Sequence, residues 1–244
     1  MGGTLDPEEK LPPQFDYYDG GALYVLATPI GNLGDLAPRA VEILRASDLI
    51  LAEDTRAFAR ISQCFHITRP VLSYFDHNEQ KRAAEVLKRL QGGEMVALTS
   101  NAGTPCISDP GYRLVHACRS AGIPVKTVPG PCAALAALSI SGFETDCFFF
   151  AGFLPVKAGK RKAVLEEALE RECASIFYES PHRAAKTLAE LAVLSPDRDI
   201  FLARELTKIY EETLLGTAQE LKDNVAARSS IKGELVLIVR GKGK

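Results

Sequence analysis

The sequence predicts an α/β protein with a parallel sheet in its first part and a mixed sheet in its second. Three observations predict this. Over about the first 140 residues, short apolar runs alternate five times with amphipathic segments of helical period. The apolar runs are nearly continuous, as parallel strands covered on both faces require. After Gly142 the pattern changes, and a dense aromatic strand opens a second series of strands and helices.

Residues 1–21, MGGTLDPEEKLPPQFDYYDGG, are expected to be a flexible extension, since acidic residues and prolines stand where an export signal would be basic and then apolar. A first domain is expected over 22–142. Its opening strand is ALYVLA, and the helix PRAVEILRAS follows with Pro38 in its first turn, where the missing N–H has no partner to lose. DLILAE leads to the helix TRAFARISQCF, and VLSY leads to NEQKRAAEVLKRLQGG, which paired glycines stop. EMVALTS runs through the loop SNAGTPCISDPG into GYRLVHACRSAG, and IPVKTVPG precedes PCAALAALSISG.

A second domain is expected over 143–244. It opens with the strand CFFFAGFLP and a basic connector, VKAGKRK, followed by a helix over about 160–171. The strand ASIFYE then leads to a helix opened by SPHR, with Ser180 as N-cap and Pro181 in the first turn. DIFLAR, ETLLGT, the helix AQELKDNVA and a last strand, GELVLIVRG, complete it.

Composition narrows the function. The 244 residues are 46% hydrophobic and 25% charged, and no apolar run reaches the roughly 18 residues of a membrane helix. A net charge of −2 argues against a protein that coats nucleic acid non-specifically, although it permits a local basic patch. Six cysteines form no CxxC pair and four histidines no HExxH motif, so reduced thiols, a cytoplasmic protein and no metal are expected.

Open parallel sheets bind ligands beyond the carboxyl ends of their strands. Three post-strand loops are unusual there: TPIGNLGDLAP, SNAGTPCISDPG and PGPCAA. They offer close backbone approach and hydrogen bonds more than charge, which suits a nucleoside derivative. GxGxxG and GxxxxGK[ST] are both missing, which weakens dinucleotide and P-loop readings. Charges gather at strand ends: Glu53, Asp54 and Arg56 in LAEDTR, Glu179 and Arg183 in FYESPHR, and Arg204 and Lys208 in ARELTK. Helix caps and surface ion pairs explain them about as well as an RNA-facing edge does. Lys157, Lys160, Arg161 and Lys162 make the connector basic, and phosphate contact is the functional reading that fits it.

Taken in order, LYVLATPIGNLGDLAPRAVEILRASDLILAEDTR, SNAGTPCISDPGYRLV, VPGPCAALAALSISGF, AGFLP, FYESPHR, ARELTK and GELVLIVRG closely resemble the ribosomal RNA small subunit methyltransferase I family of the tetrapyrrole methylase superfamily. The match runs from about Ala22 to Gly241. The resemblance implies a two-domain tetrapyrrole methylase-like fold that binds S-adenosylmethionine between its domains and acts as a homodimer. The implied reaction is methylation of a cytidine ribose 2′-hydroxyl in the decoding region of 16S rRNA. It implies cofactor contacts at Pro29, at Asn101, Ala102, Gly103, Thr104 and Ile107, at Cys132 and Ala133, and at Tyr178 and Ala203. Asn101 stands where the family usually has aspartate, and Cys132 where it has serine. RNA contacts are expected from Arg56, Lys157, Lys160, Arg161, Lys162, Arg183, Arg204 and Lys208. Glu53, Asp54 and Glu179 are candidates for a base that takes the hydroxyl proton. Two rival readings stand beside this one: a methylase of a tetrapyrrole-like or diphthine-like acceptor, and a non-catalytic RNA-binding assembly factor.

Overall fold

The computed structural model describes residues 21–243, so the expected N-terminal extension lies, but for Gly21, outside the described residues. Strands β1 (Ala22–Leu26), β2 (Leu49–Ala52), β3 (Val71–Ser73), β4 (Met95–Leu98) and β5 (Val125–Val128) form one sheet in the order β3-β2-β4-β1-β5, parallel at every pairing. Successive strand side chains point to opposite faces. Ala22, Tyr24 and Leu26, with Ile50 and Ala97, therefore meet helices α1 (Pro38–Ala46) and α2 (Thr55–Cys64) through Ile43, Leu44, Phe58 and Ile61. Leu23, Leu51, Val96 and Leu98 meet α3 (Glu79–Gln91) and α4 (Tyr112–Ser120) through Val86, Leu90 and Leu114. Because both faces are covered, the inner strands must be apolar at every position. The edge strand β5 departs from this, with Lys126 and Thr127 exposed.

The second sheet is mixed. It is ordered β6-β7-β10-β8-β9, from β6 (Phe148–Phe153), β7 (Ala174–Glu179), β8 (Asp199–Arg204), β9 (Glu212–Thr217) and β10 (Leu235–Val239). Only the β6/β7 pair is parallel. Helices α6 (Ala158–Glu170), α7 (Ala184–Leu194) and α8 (Ala218–Ala226) cover one face. The other face receives α5 (Ala133–Ile140), whose Ala134, Ala137 and Leu138 pack with Ile176, Phe201, Val236 and Ile238. A helix that belongs by chain position to the first α/β series thus closes the core of the second.

Two expectations about local structure are corrected. Ser180 does not cap α7: its carbonyl accepts from the N–H groups of Arg183 (2.9 Å) and Ala184 (3.0 Å), and regular helix begins at Ala184. The Glu179 carboxylate holds this extra turn by accepting from the Ser180 N–H at 2.6 Å and pairing with Arg183 at 2.7 Å. The basic connector is also shorter than expected, because α6 starts at Ala158 and carries Lys160, Arg161 and Lys162 on its first turns.

Candidate functional site

The strand order makes neighbours of the three unusual loops, which follow β4, β1 and β5. Helix α1 leaves β1 toward one face of the sheet and α4 leaves β4 toward the other, so a crevice opens between adjacent strand ends. Backbone bonds tie the loops together across it. Thr28 and Gly103 exchange both N–H···O bonds, at 2.9 and 3.0 Å. The Thr28 hydroxyl donates to the Ser100 carbonyl at 3.1 Å, and the Thr104 hydroxyl donates to the Pro131 carbonyl at 3.1 Å. Cys106 (φ 70°) and Ser108 (φ 63°) are held in the left-handed region, the kind of local strain that surrounding structure must enforce.

A cleft of about 510 Å³ lies between these loops and the second sheet. Asn101, Ala102, Gly103, Thr104, Ile107, Cys132, Ala133, Tyr178 and Ala203 all line it, whereas Pro29 is buried beside Ile30, which lines it instead. The second half closes in tightly. A Cβ on Gly31 would lie 2.4 Å from Lys208 Cγ and 2.9 Å from the Leu206 carbonyl oxygen, so the loop after β1 docks on the loop after β8 only because residue 31 has no side chain. The Tyr178 hydroxyl reaches the Cys132 thiol and the Ala134 N–H, and burial raises its pKa, so it stays protonated.

The carboxylates differ sharply in what they can do. Glu53 lines the cleft and accepts from the Asn101 N–H at 3.3 Å, while the Asn101 amide oxygen accepts from the Asp54 N–H at 3.1 Å. Asp54 is not among the lining residues. It caps α2 and pairs with Arg56, which holds its pKa below the usual value. Glu179 lines the cleft, but its side chain is only 1% exposed. It is occupied by the Ser180 N–H, the Thr187 hydroxyl (2.6 Å) and Arg183. Of the three expected bases, Asp54 thus stands outside the cleft lining as a helix cap, and Glu179 lines the cleft with its carboxylate already engaged by three donors. Asp109, the lone formal charge of the loop SNAGTPCISDPG, also lines the cleft, although it is not among the expected cofactor contacts or bases. Partial burial, with the nearby Glu53 and Asp76 charges, pushes its carboxyl up to about 6 against the pull of the Ser100 hydroxyl.

The basic residues divide as well. Arg56, Lys157, Lys160 and Lys162 are exposed. Arg161 is 1% exposed and fork-bonded to Glu190 at 2.6 and 2.8 Å, so its expected phosphate contact is ruled out by burial. Arg183 pairs with Glu179, Arg204 with Glu212 (2.9 Å), and Lys208 with Glu205 (2.8 Å) and Glu234 (3.0 Å). These three hold loops and strands together, and none of the eight basic residues lines the cleft. Among the described residues no cluster of three or more metal-ligating side chains occurs, and no helix is long and apolar enough to cross a membrane.

Comparison with known proteins places the chain in a family. The profile of the Tetrapyrrole (Corrin/Porphyrin) Methylases matches residues 22–222. Ribosomal RNA small subunit methyltransferase I of Haemophilus influenzae is 47% identical over 226 residues, covering 92% of this chain and 80% of that protein. Its namesake from Xylella fastidiosa is 49% identical over 223 residues, covering 91% and 82%. Among solved structures, diphthine synthase superposes with a TM-score of 0.69 at 13% identity, covering 91% of this chain and 90% of its own. Uroporphyrin-III-C-methyltransferase from Thermus thermophilus superposes with a TM-score of 0.64 at 20% identity, covering 90% and 94%. These two likenesses speak to the fold alone. The chain belongs to the tetrapyrrole (corrin/porphyrin) methylases, in the ribosomal RNA small subunit methyltransferase I family.

Proposed function

We propose that this protein methylates RNA of the small ribosomal subunit with S-adenosylmethionine, and that the acceptor is the ribose 2′-hydroxyl of a cytidine in the decoding region of 16S rRNA. What carries the reading is that every residue the resemblance assigns to the cofactor, except Pro29, lines one cleft of about 510 Å³. The cleft fits the cofactor chemically. Its volume suits a small ligand, Ile30, Leu206 and Val236 give apolar walls, and the Asp109 carboxylate suits an ammonium or sulfonium charge.

When bound, S-adenosylmethionine supplies a methyl group already activated on a positively charged sulfur. The protein's task is then alignment and exclusion of water. The Thr28–Gly103 bridge and the Thr104 hydroxyl fix the loop that faces the ligand, and Tyr178 closes the wall from the second sheet. Of the two expected bases that line the cleft, Glu53 is engaged, among the described residues, only by the Asn101 N–H whereas Glu179 is held by three donors, so Glu53 is proposed to accept the hydroxyl proton. The exposed Arg56, Lys157, Lys160 and Lys162 favour an RNA acceptor over a tetrapyrrole-like or diphthine-like one. The homodimer and the division into domains 22–142 and 143–244 belong to the same proposal. The deciding experiment incubates the protein with labelled cofactor and small subunits from a strain lacking the gene, then maps the label. Label on a decoding-region ribose is expected, and unlabelled RNA alongside cofactor binding would leave the methylation reading without support.

A further inference from the structure

Strand β6 ends irregularly at the cleft. Phe148, Phe149 and Phe150 pair in step with Ala174, Ser175 and Ile176 of β7, but the register then slips, and Phe153 stands opposite Tyr178. Gly152, at the slip, has φ +67°, and a Cβ there would lie 2.7 Å from Ser108 Oγ in the loop after β4. The bulge thus favours glycine for its backbone conformation, and any larger residue would also make the Ser108 hydroxyl turn aside. Bulges of this kind re-aim a side chain. Here the side chain is Phe153, which lines the cleft and remains 59% exposed. Its ring is nevertheless held in place, edge to face on Tyr178 at 5.5 Å between centroids, and Tyr178 in turn meets Phe150 at 5.1 Å.

An oriented aromatic ring left open to water at a binding cleft calls for a flat apolar partner. Buried lining residues, among them Ile30, Gly103, Ala203, Leu206 and Val236, make the enclosed part of the cleft, and exposed ones, Asn101, Ile107, Ser108, Phe153 and Glu234, make its rim. A cavity of about 510 Å³ admits a cofactor but not an RNA helix, so the part of an RNA that reaches into the cleft is of the size of a single nucleotide. We infer that Phe153 is the platform on which the nucleobase of the acceptor nucleotide stacks, placing its ribose over the cleft. The inference rests on the proposed RNA methylation and adds a specificity: the acceptor must be unpaired when it binds. A planar base could also come from the cofactor, and the test separates the two sources.

The protein contains no tryptophan, so Phe153→Trp creates a unique fluorophore at the rim. Short unpaired RNA carrying the decoding-region cytidine is expected to quench it, and S-adenosylhomocysteine alone is expected to leave it unchanged. Quenching by S-adenosylhomocysteine alone would assign the ring to the cofactor adenine and overturn the inference. In turnover, Phe153→Ala and Phe153→Leu are expected to raise KM for RNA by about tenfold or more, as loss of one base–aromatic stack implies. Phe153→Tyr should retain the wild-type KM, and in every variant the loss of cofactor affinity should be several-fold smaller than the rise in KM for RNA. If the wild type methylates and Phe153→Leu keeps its KM, this inference fails alone. A wild type that methylates no RNA overturns the functional reading and this inference together.

Discussion

Asp109→Asn separates the cost of keeping a carboxyl in the cleft from its use there. Burial first, then the charges of Glu53 and Asp76, push this carboxyl up to about 6 from its ordinary 3.8. Its folded-state pKa is raised, so its contribution to stability is full below about pH 3.8 and is lost as pH rises through about 6. Above that range the ionised group destabilises the ligand-free protein. A gap of about 2 pH units at 1.36 kcal/mol per unit is about 3 kcal/mol, and screening in a cleft open to water reduces this to about 1–1.5 kcal/mol. Asparagine keeps an acceptor for the Ser100 hydroxyl and removes the charge. The ligand-free variant should therefore melt about 2–5 °C higher than wild type near pH 8 and show no such gain near pH 3.5. A cationic ligand reverses the preference. Wild-type affinity for S-adenosylmethionine should rise with pH between about 5 and 7 and then level off, while the variant should bind about tenfold more weakly near pH 8 and without pH dependence. Scanning calorimetry and titration calorimetry read the two effects. A variant that melts lower without ligand near pH 8, or binds the cofactor as tightly as wild type, refutes the reasoning.

The remaining expectations follow from side chains already placed. Asn101→Asp keeps the acceptor for the Asp54 N–H and adds a charge facing a cationic ligand, so titration calorimetry should show binding tighter by about 0.5–1.5 kcal/mol. A tenfold loss would mean that the site depends on the amide. Glu179→Ala leaves the partly buried Arg183 without its partner and should cost about 3–5 kcal/mol in denaturant unfolding; a fully stable variant that loses only turnover would restore Glu179 as a catalytic candidate. Joint replacement of Lys157, Lys160 and Lys162 by Ala should lower RNA affinity and flatten its salt dependence, and an unchanged salt slope would remove them from the interface. Arg161→Met should change thermal stability while leaving that slope as it was, since the side chain is buried against Glu190.

What the sequence revealed depended on the range of the interaction. Near-continuous apolar runs such as LILA and MVAL follow directly from cover on both faces, so the inner strands of the first sheet were legible. The loops were legible as unusual, yet only the order β4-β1-β5 makes them adjacent, and that order is decided by packing between segments far apart in the chain. Charges were visible by type but not by partner. Arg161 reads as one of four basic residues in a row of connectors until Glu190, 29 positions away, takes it out of solvent. Cys147 and Cys173 read as scattered thiols, although they immediately precede the paired Phe148 and Ala174 and their side chains hydrogen-bond. Asp109 carried a usable signal, a single charge in a twelve-residue polar loop. Phe153 carried none, because a register slip is invisible in a run of aromatic residues.

The position of α5 explains how a site made from two sheets keeps its shape. Cys132 and Ala133 line the cleft at the start of this helix, and the same helix sends Ala134, Ala137 and Leu138 into the core beneath the second sheet. Tyr178, on that sheet, reaches back to the Ala134 N–H. Drawing the sheets apart on this side would expose three side chains and Ile176, Val236 and Ile238 beneath them, at roughly 25 cal/mol for each Å² of apolar surface uncovered. On the other side, Gly31 brings its backbone against the Leu206 carbonyl and the Lys208 side chain at distances a Cβ would not allow. The walls are therefore fixed by the same contacts that fold the chain. For the proposed methyl transfer, whose rate depends on aligning donor and acceptor, walls held in this way reduce the ordering that binding must impose.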